Sequence, residues 1–136
     1  MRCIVVDDEP TARLHLRMLL EANGQVDEAE NAAVALEQIR EAVKAKTPYD
    51  LVCLDLSMPG PDGLETVAMI REIDQYMRAG KRTGVVIVTA SSDTQDILAA
   101  FKQKADAYLV KPVSMKKLAD AMEQVQERTV AEQQKP

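Results

Sequence analysis

No stretch of this 136-residue chain approaches the roughly 20 apolar residues that a membrane-spanning helix needs. Its opening apolar run stops at Asp7 and Asp8, well short of the core of a secretion signal. A cytoplasmic protein is therefore expected. A basic excess is also missing: the formal net charge of −5 excludes a general nucleic-acid-binding surface. Cysteine is scarce. Cys3 and Cys53 lie inside apolar runs, lack metal-type spacing, and read as core thiols in a reducing compartment. Neither a helix-turn-helix, a kinase motif nor a catalytic output segment is legible, so the chain is expected to be a stand-alone unit or a piece cut from a longer protein.

What remains is enough for one core. With 46% hydrophobic residues the length fits a single domain, expected over residues 1–127, followed by a polar, frayed tail at 128–136. Two short apolar runs carry the first chemical signal. Cys3-Ile4-Val5-Val6 is closed by Asp7-Asp8, and Leu51-Val52-Cys53-Leu54 by Asp55. Both runs are too short for a buried helix and are followed by Pro-bearing turns, as strands are. On neighbouring parallel strands, three carboxylates would converge at one sheet edge and repel, and a hard divalent cation is their natural neutraliser. Asp7 and Asp8 by themselves would rather read as caps of the following helix, with Pro10 in its first turn. Asp55 is what favours the cation.

Two further runs, Val85-Val86-Ile87-Val88-Thr89-Ala90 and Ala107-Tyr108-Leu109-Val110-Lys111-Pro112, end in a hydroxyl and an ammonium. In an open parallel sheet, ligands bind outside the carboxyl ends of the strands. Two acids, a third acid, a hydroxyl and an ammonium at four such ends describe a phosphoryl site. Between the runs lie helical periods: Ala12, Leu16, Leu19 and Leu20; Ala32, Leu36, Ile39 and Val43; Leu64, Val67, Ala68 and Ile70; and Met115, Leu118, Met122 and Val125. A shorter helix from about Asp93 to Lys104 offers Ile97, Leu98 and Phe101. Asp62 with Glu65 resembles a capping box, and Ser114 can cap the last helix. A strand near Gln25 to Glu28 is expected mainly because the alternation requires one.

The ordered set Asp7-Asp8, Asp55-Leu56-Ser57-Met58-Pro59-Gly60-Pro61-Asp62-Gly63, Thr89-Ala90 and Tyr108-Leu109-Val110-Lys111-Pro112 resembles the receiver domain of two-component response regulators, over roughly Arg2 to Gln126. The resemblance implies a flavodoxin-like, doubly wound α/β sandwich with five parallel strands in order 2-1-3-4-5 and five helices. It implies that Asp55 attacks the phosphorus of a phosphohistidine on a sensor histidine kinase or histidine phosphotransfer protein. Mg²⁺, with Mn²⁺ able to substitute, would be held by Asp8, Asp55, the Ser57 carbonyl and, through water, Asp7. Lys111 and Thr89 would bind phosphoryl oxygens, and the Lys111–Pro112 bond would be cis. Thr89 and Tyr108 would form the switch that remodels the face of the fourth helix, last strand and last helix, for a downstream protein or a phosphorylation-dependent dimer. Ser57 and Ser91 would flank the hydrolytic water and tune the lifetime of the phosphorylated state.

Other readings stand beside these. Tyr108 equally fits a static, half-buried strand aromatic. Lys102, Lys104, Lys116 and Lys117 read first as a solvated face, and second as a docking site for an acidic partner or a second receiver. His15, between Leu14 and Leu16, reads as an exposed or edge residue rather than a phosphate carrier, because those carriers are helical bundles. A haloacid-dehalogenase-like phosphatase needs a second Asp two residues after the nucleophile, where Ser57 stands. A receiver-like module that works without phosphorylation would not need the complete acid, hydroxyl and lysine set. Two departures from the family pattern concern geometry: Gln103-Lys104-Ala105 has no glycine to end the fourth helix, so Lys104 must be strained or the helix must end differently, and Pro61 stiffens the loop below Asp55.

Overall fold

The computed structural model describes residues 1–56 and 63–133. Five strands, β1 (Arg2–Val6), β2 (Gln25–Ala29), β3 (Leu51–Asp55), β4 (Gly84–Thr89) and β5 (Ala107–Val110), form one parallel sheet in the order β2-β1-β3-β4-β5. Five α-helices alternate with them: α1 (Pro10–Leu20), α2 (Ala32–Lys44), α3 (Gly63–Met77), α4 (Thr94–Lys102) and α5 (Met115–Gln133). The expected flavodoxin-like topology is therefore the observed one. No helix among the described residues is long and apolar enough to cross a membrane.

Strand alternation divides the core into two layers. Ile4, Val6, Val52, Leu54, Val85 and Ile87 face α2, α3 and α4, whereas Cys3, Val5, Leu51, Cys53, Val86 and Val88 face α1 and α5. Continuous Val/Ile/Leu runs are what a sheet covered on both sides requires. The two thiols are free and fully buried, and burial pushes Cys3 up to about 11 and Cys53 up to about 12.

Helix starts follow local chemistry. Asn31 accepts from the Val34 N–H at 2.9 Å, Asp93 from Gln95 at 2.7 Å and Ser114 from Lys117 at 3.1 Å. The N-cap of α1 is Glu9, which makes no side-chain cap, with Pro10 directly after it. Asp7 and Asp8 are thus not the caps that their position before a helix would allow. The weak β2 begins after Gly24, where φ is 149° and a Cβ would overlap the Met1 carbonyl. The Asp62–Glu65 capping box and Pro61 lie outside the described residues.

Three expectations need correction. Leu98 is 64% exposed and Met115 51% exposed, while Ala100 and Ala121 take the buried positions. The segment from Thr129, expected as a frayed tail, continues α5 through Gln133, with the Thr129 hydroxyl donating to the Val125 carbonyl at 3.0 Å. Its Ala, Glu and Gln residues are good helix formers, which polarity alone does not reveal.

The glycine-less end of α4 is resolved by strain. Lys104 adopts φ 70°, and its carbonyl accepts from Arg71 Nε at 3.0 Å and Nη2 at 2.7 Å, and from Arg82 at 3.2 Å. Left-handed backbone is disfavoured by about 1 kcal/mol for a residue with a Cβ, and the guanidinium bonds offset it. Lys104→Gly keeps that carbonyl and removes the clash, so it should stabilise the fold by about 1 kcal/mol, read as a higher urea midpoint at unchanged m-value.

Candidate functional site

The carboxyl ends of β1, β3, β4 and β5 bring the predicted residues to one edge. Asp7 follows β1 and is 1% exposed; Asp55 ends β3 and is 4% exposed; Asp8, one residue on, faces solvent. One carboxylate oxygen from each lies within 4.8 Å of the others. Lys111 Nζ stands 3.0 Å from Asp7 Oδ2 and 3.5 Å from Asp55 Oδ2. Burial pulls the Lys111 ammonium down, but the two carboxylates outweigh it and hold the group above the ordinary lysine range. It therefore stays cationic at neutral pH.

Three carboxylates less one ammonium leave a net charge of −2 at this edge. An all-oxygen donor set in a local net charge of −2 fits a hard divalent cation in charge and in ligand type. Asp7, Asp8 and Asp55 are the residues that would hold it.

The remaining side chains surround this group. Thr89, 3% exposed, ends β4; its hydroxyl accepts from the Ser91 N–H at 3.3 Å and its carbonyl from the Lys111 N–H at 2.8 Å. The Lys111–Pro112 bond is cis. Tyr108 is partly buried, and its hydroxyl donates to the Ser91 carbonyl at 2.9 Å, tying β5 to the loop that enters α4. The Ser91 hydroxyl donates to Asp96 at 2.6 Å and accepts from the Asp93 N–H at 3.2 Å. Ser57 lies outside the described residues. His15 is exposed, with Nε2 3.0 Å from the Val113 carbonyl.

Sequence reasoning missed two polar arrangements. One is Asp106, fully buried just before β5, which accepts from Val85 N–H, Arg71 and Arg82. An acid set between Ala105 and Ala107 was the available signal. The other is Arg13, whose side chain reaches the Asp7 carbonyl; nothing local marks it.

Comparison with known proteins gives one consistent result. Residues 3–123 match the family model described as the response regulator receiver domain. The chain is 40% identical over 114 residues to the transcriptional regulatory protein ResD of Bacillus subtilis, covering 83% of this chain but 42% of ResD. It is 37% identical over 121 residues to the two-component response regulator ORR41 of Oryza sativa, covering 87% of this chain and 88% of that protein. Among solved structures, a response regulator receiver domain protein from Clostridium thermocellum superposes with a TM-score of 0.78 at 27% identity, covering 96% of this chain and 97% of that one. The Vibrio cholerae chemotaxis protein CheY4 does so with 0.76 at 26% identity, covering 91% and 97%.

Proposed function

The chain belongs to the response regulator receiver domain family, and we propose that it accepts a phosphoryl group on Asp55 from the phosphohistidine of a sensor histidine kinase or histidine phosphotransfer protein. The observation that carries this reading is the cluster of Asp7, Asp8 and Asp55 with the Lys111 ammonium between two of them. A carboxylate oxygen of Asp55 attacks phosphorus, the P–N bond breaks, and its electron pair leaves on the imidazole nitrogen. Carboxylates are poor nucleophiles, so positioning and charge neutralisation supply the rate. Asp8, Asp55, the Ser57 carbonyl and, through water, Asp7 would hold Mg²⁺, or Mn²⁺ in its place, which would supply a Lewis acid for the phosphoryl oxygens. Lys111 exchanges its carboxylate contacts for a phosphoryl oxygen, and the Thr89 hydroxyl donates to another.

Thr89 and Tyr108 form the switch in this proposal. Each bonds to a different backbone atom of Ser91, so a displacement of Thr89 toward phosphate is felt at the loop that holds Tyr108. The output face is α4, β5 and α5, where Leu98, Lys102, Lys116 and Lys117 are exposed to a downstream protein or to a second copy after phosphorylation. Ser57 and Ser91, both small and neutral, are the positions at which this proposal places control of the water that ends the signal. The cytoplasmic setting belongs to the same proposal, and the two free, buried thiols fit a reducing compartment.

The test is intact mass after incubation with acetyl phosphate or phosphoramidate. One added phosphoryl group is expected with Mg²⁺ present and none with a chelator. An unchanged mass under both conditions would favour a module that binds partners without phosphorylation, and equal gain under both would remove the metal from the mechanism.

A further inference from the structure

We propose that Arg13 is a positioning residue for the metal-binding turn, fixing the backbone from which Asp7 and Asp8 present their carboxylates; this rests on the phosphoacceptor reading above. The ladder of β1 ends at Val6 on both of its sides. One more bond, from the Asp7 N–H to the Ala29 carbonyl at 3.2 Å, holds the next residue. From there the chain must leave the sheet, turn through Asp8 and Glu9, and enter α1. The Asp7 carboxylate helps close this turn by accepting from the Glu9 N–H at 2.9 Å.

Asp8 has no such restraint. Among the described residues its carboxylate makes no hydrogen bond or ion pair, and the residue faces solvent. Its direction is therefore set by the backbone on either side of it. Arg13 supplies the outer restraint: Nη1 donates to the Asp7 carbonyl at 2.7 Å, while its own backbone N–H bonds the Glu9 carbonyl at 3.1 Å. Asp8 is thereby enclosed in a loop closed from both ends, by one side chain and one helical bond.

The guanidinium is itself held. Arg13 Nε lies 3.3 Å from Glu28 Oε1 on β2, and the Arg13 side chain is only 17% exposed. Glu28 also receives Arg17 Nη1 at 2.8 Å. Arg17 shares the same acid but does not reach the turn, so it is an internal control for charge and for helix stability. A planar fork that bonds a carbonyl and a carboxylate at once is geometry that arginine offers and lysine does not. Outer groups that orient metal ligands commonly change affinity by tenfold or more when removed.

The experiment is Mn²⁺ binding, followed by electron paramagnetic resonance of the free ion, for the wild type, Arg13→Ala, Arg13→Lys and Arg17→Ala. Arg13→Ala should weaken Mn²⁺ binding about tenfold, with Arg13→Lys intermediate. Arg17→Ala should bind as the wild type does, although both alanine variants lower the metal-free unfolding temperature by losing Glu28. That split between affinity and stability is what a merely structural arginine would not produce. Equal affinity in Arg13→Ala and wild type, or an equal loss in Arg17→Ala, overturns the assignment. Should Arg13→Ala not fold, Arg13→Lys against Arg17→Lys decides in the same way. A folded wild type that fails to bind Mn²⁺ would instead sink the phosphoacceptor reading, and this inference with it.

Discussion

Asp55→Asn will gain no mass with a small phosphodonor and Mg²⁺ under conditions that add one phosphoryl group to the wild type. The substitution keeps the size of a buried residue, 4% exposed, at the end of a central strand, so the fold should persist and far-UV circular dichroism should be unchanged. What it removes is an anionic oxygen. A neutral amide oxygen is a far weaker nucleophile, and no other carboxylate of the cluster can simply replace it. Asp7 is engaged with Lys111 at 3.0 Å and with the Glu9 N–H at 2.9 Å, and Asp8 opens outward to solvent. The loss should therefore be complete rather than partial. The cluster charge also falls from −2 to −1, so the variant should hold Mg²⁺ more weakly as well. A phosphoryl group found on Asp55→Asn in wild-type amount would mean that another residue is the acceptor, and peptide mapping of the modified protein would name it.

Asp106→Ala should lower the stability of the fold by about 3–5 kcal/mol, the range found when one member of a buried ion pair is removed. Asp106 is fully buried, and its two oxygens have different duties. Oδ2 accepts from the Val85 N–H at 2.8 Å and from Arg71 Nη2 at 2.9 Å, while Oδ1 accepts from Arg82. Truncation strands a backbone donor at the start of β4 and leaves two guanidinium groups, 13% and 10% exposed, facing a cavity. The damage extends further, because the same two arginines bond the strained Lys104 carbonyl. Arg71 also pairs with Asp74, whose carboxylate accepts from the Thr83 N–H at 3.0 Å. With domain stabilities commonly about 5–15 kcal/mol, such a loss is a large part of the total. Urea unfolding of the two proteins checks it. A difference under 1 kcal/mol would show that the arginines find replacement partners in solvent. Asp106→Asn, which keeps the volume and one acceptor, should fall between them.

Four strands and the acid, hydroxyl and ammonium endings of the site were readable from the chain alone. Each depends on a local pattern: an apolar run that a two-sided sheet buries, cut off by a polar residue where the strand leaves the core. The strand order came with the family resemblance, and the parallel register then sets Asp55 beside Val88 and Thr89 beside Val110, on neighbouring strands. β2 was harder, because Gln25-Val26-Asp27-Glu28-Ala29 is an edge strand with one side partly open and its acids committed to Arg2, Tyr49, Arg13 and Arg17. Such pairings leave no periodic trace. The helical faces were legible in period but not in exact orientation: Leu98 and Met115 hold apolar positions in sequence, yet the folded helices turn Ala100 and Ala121 inward and leave those two exposed.

The remainder belonged to tertiary structure for a common reason. Arg71 and Asp106 are 35 residues apart, and Lys111 and Asp7 are 104 apart. Even Arg13 and Asp7, six apart, meet only because β1 ends where α1 folds back over it. Polar contacts of this kind act over a few ångströms and depend on direction, so they exist only after packing has fixed the backbones that carry them. Hydrophobic burial has no direction and writes itself into the sequence as a period. That difference is why the chain by itself determined the fold and the chemistry of its edge, while the folded structure decided which arginines hold that edge and the end of α4 in place.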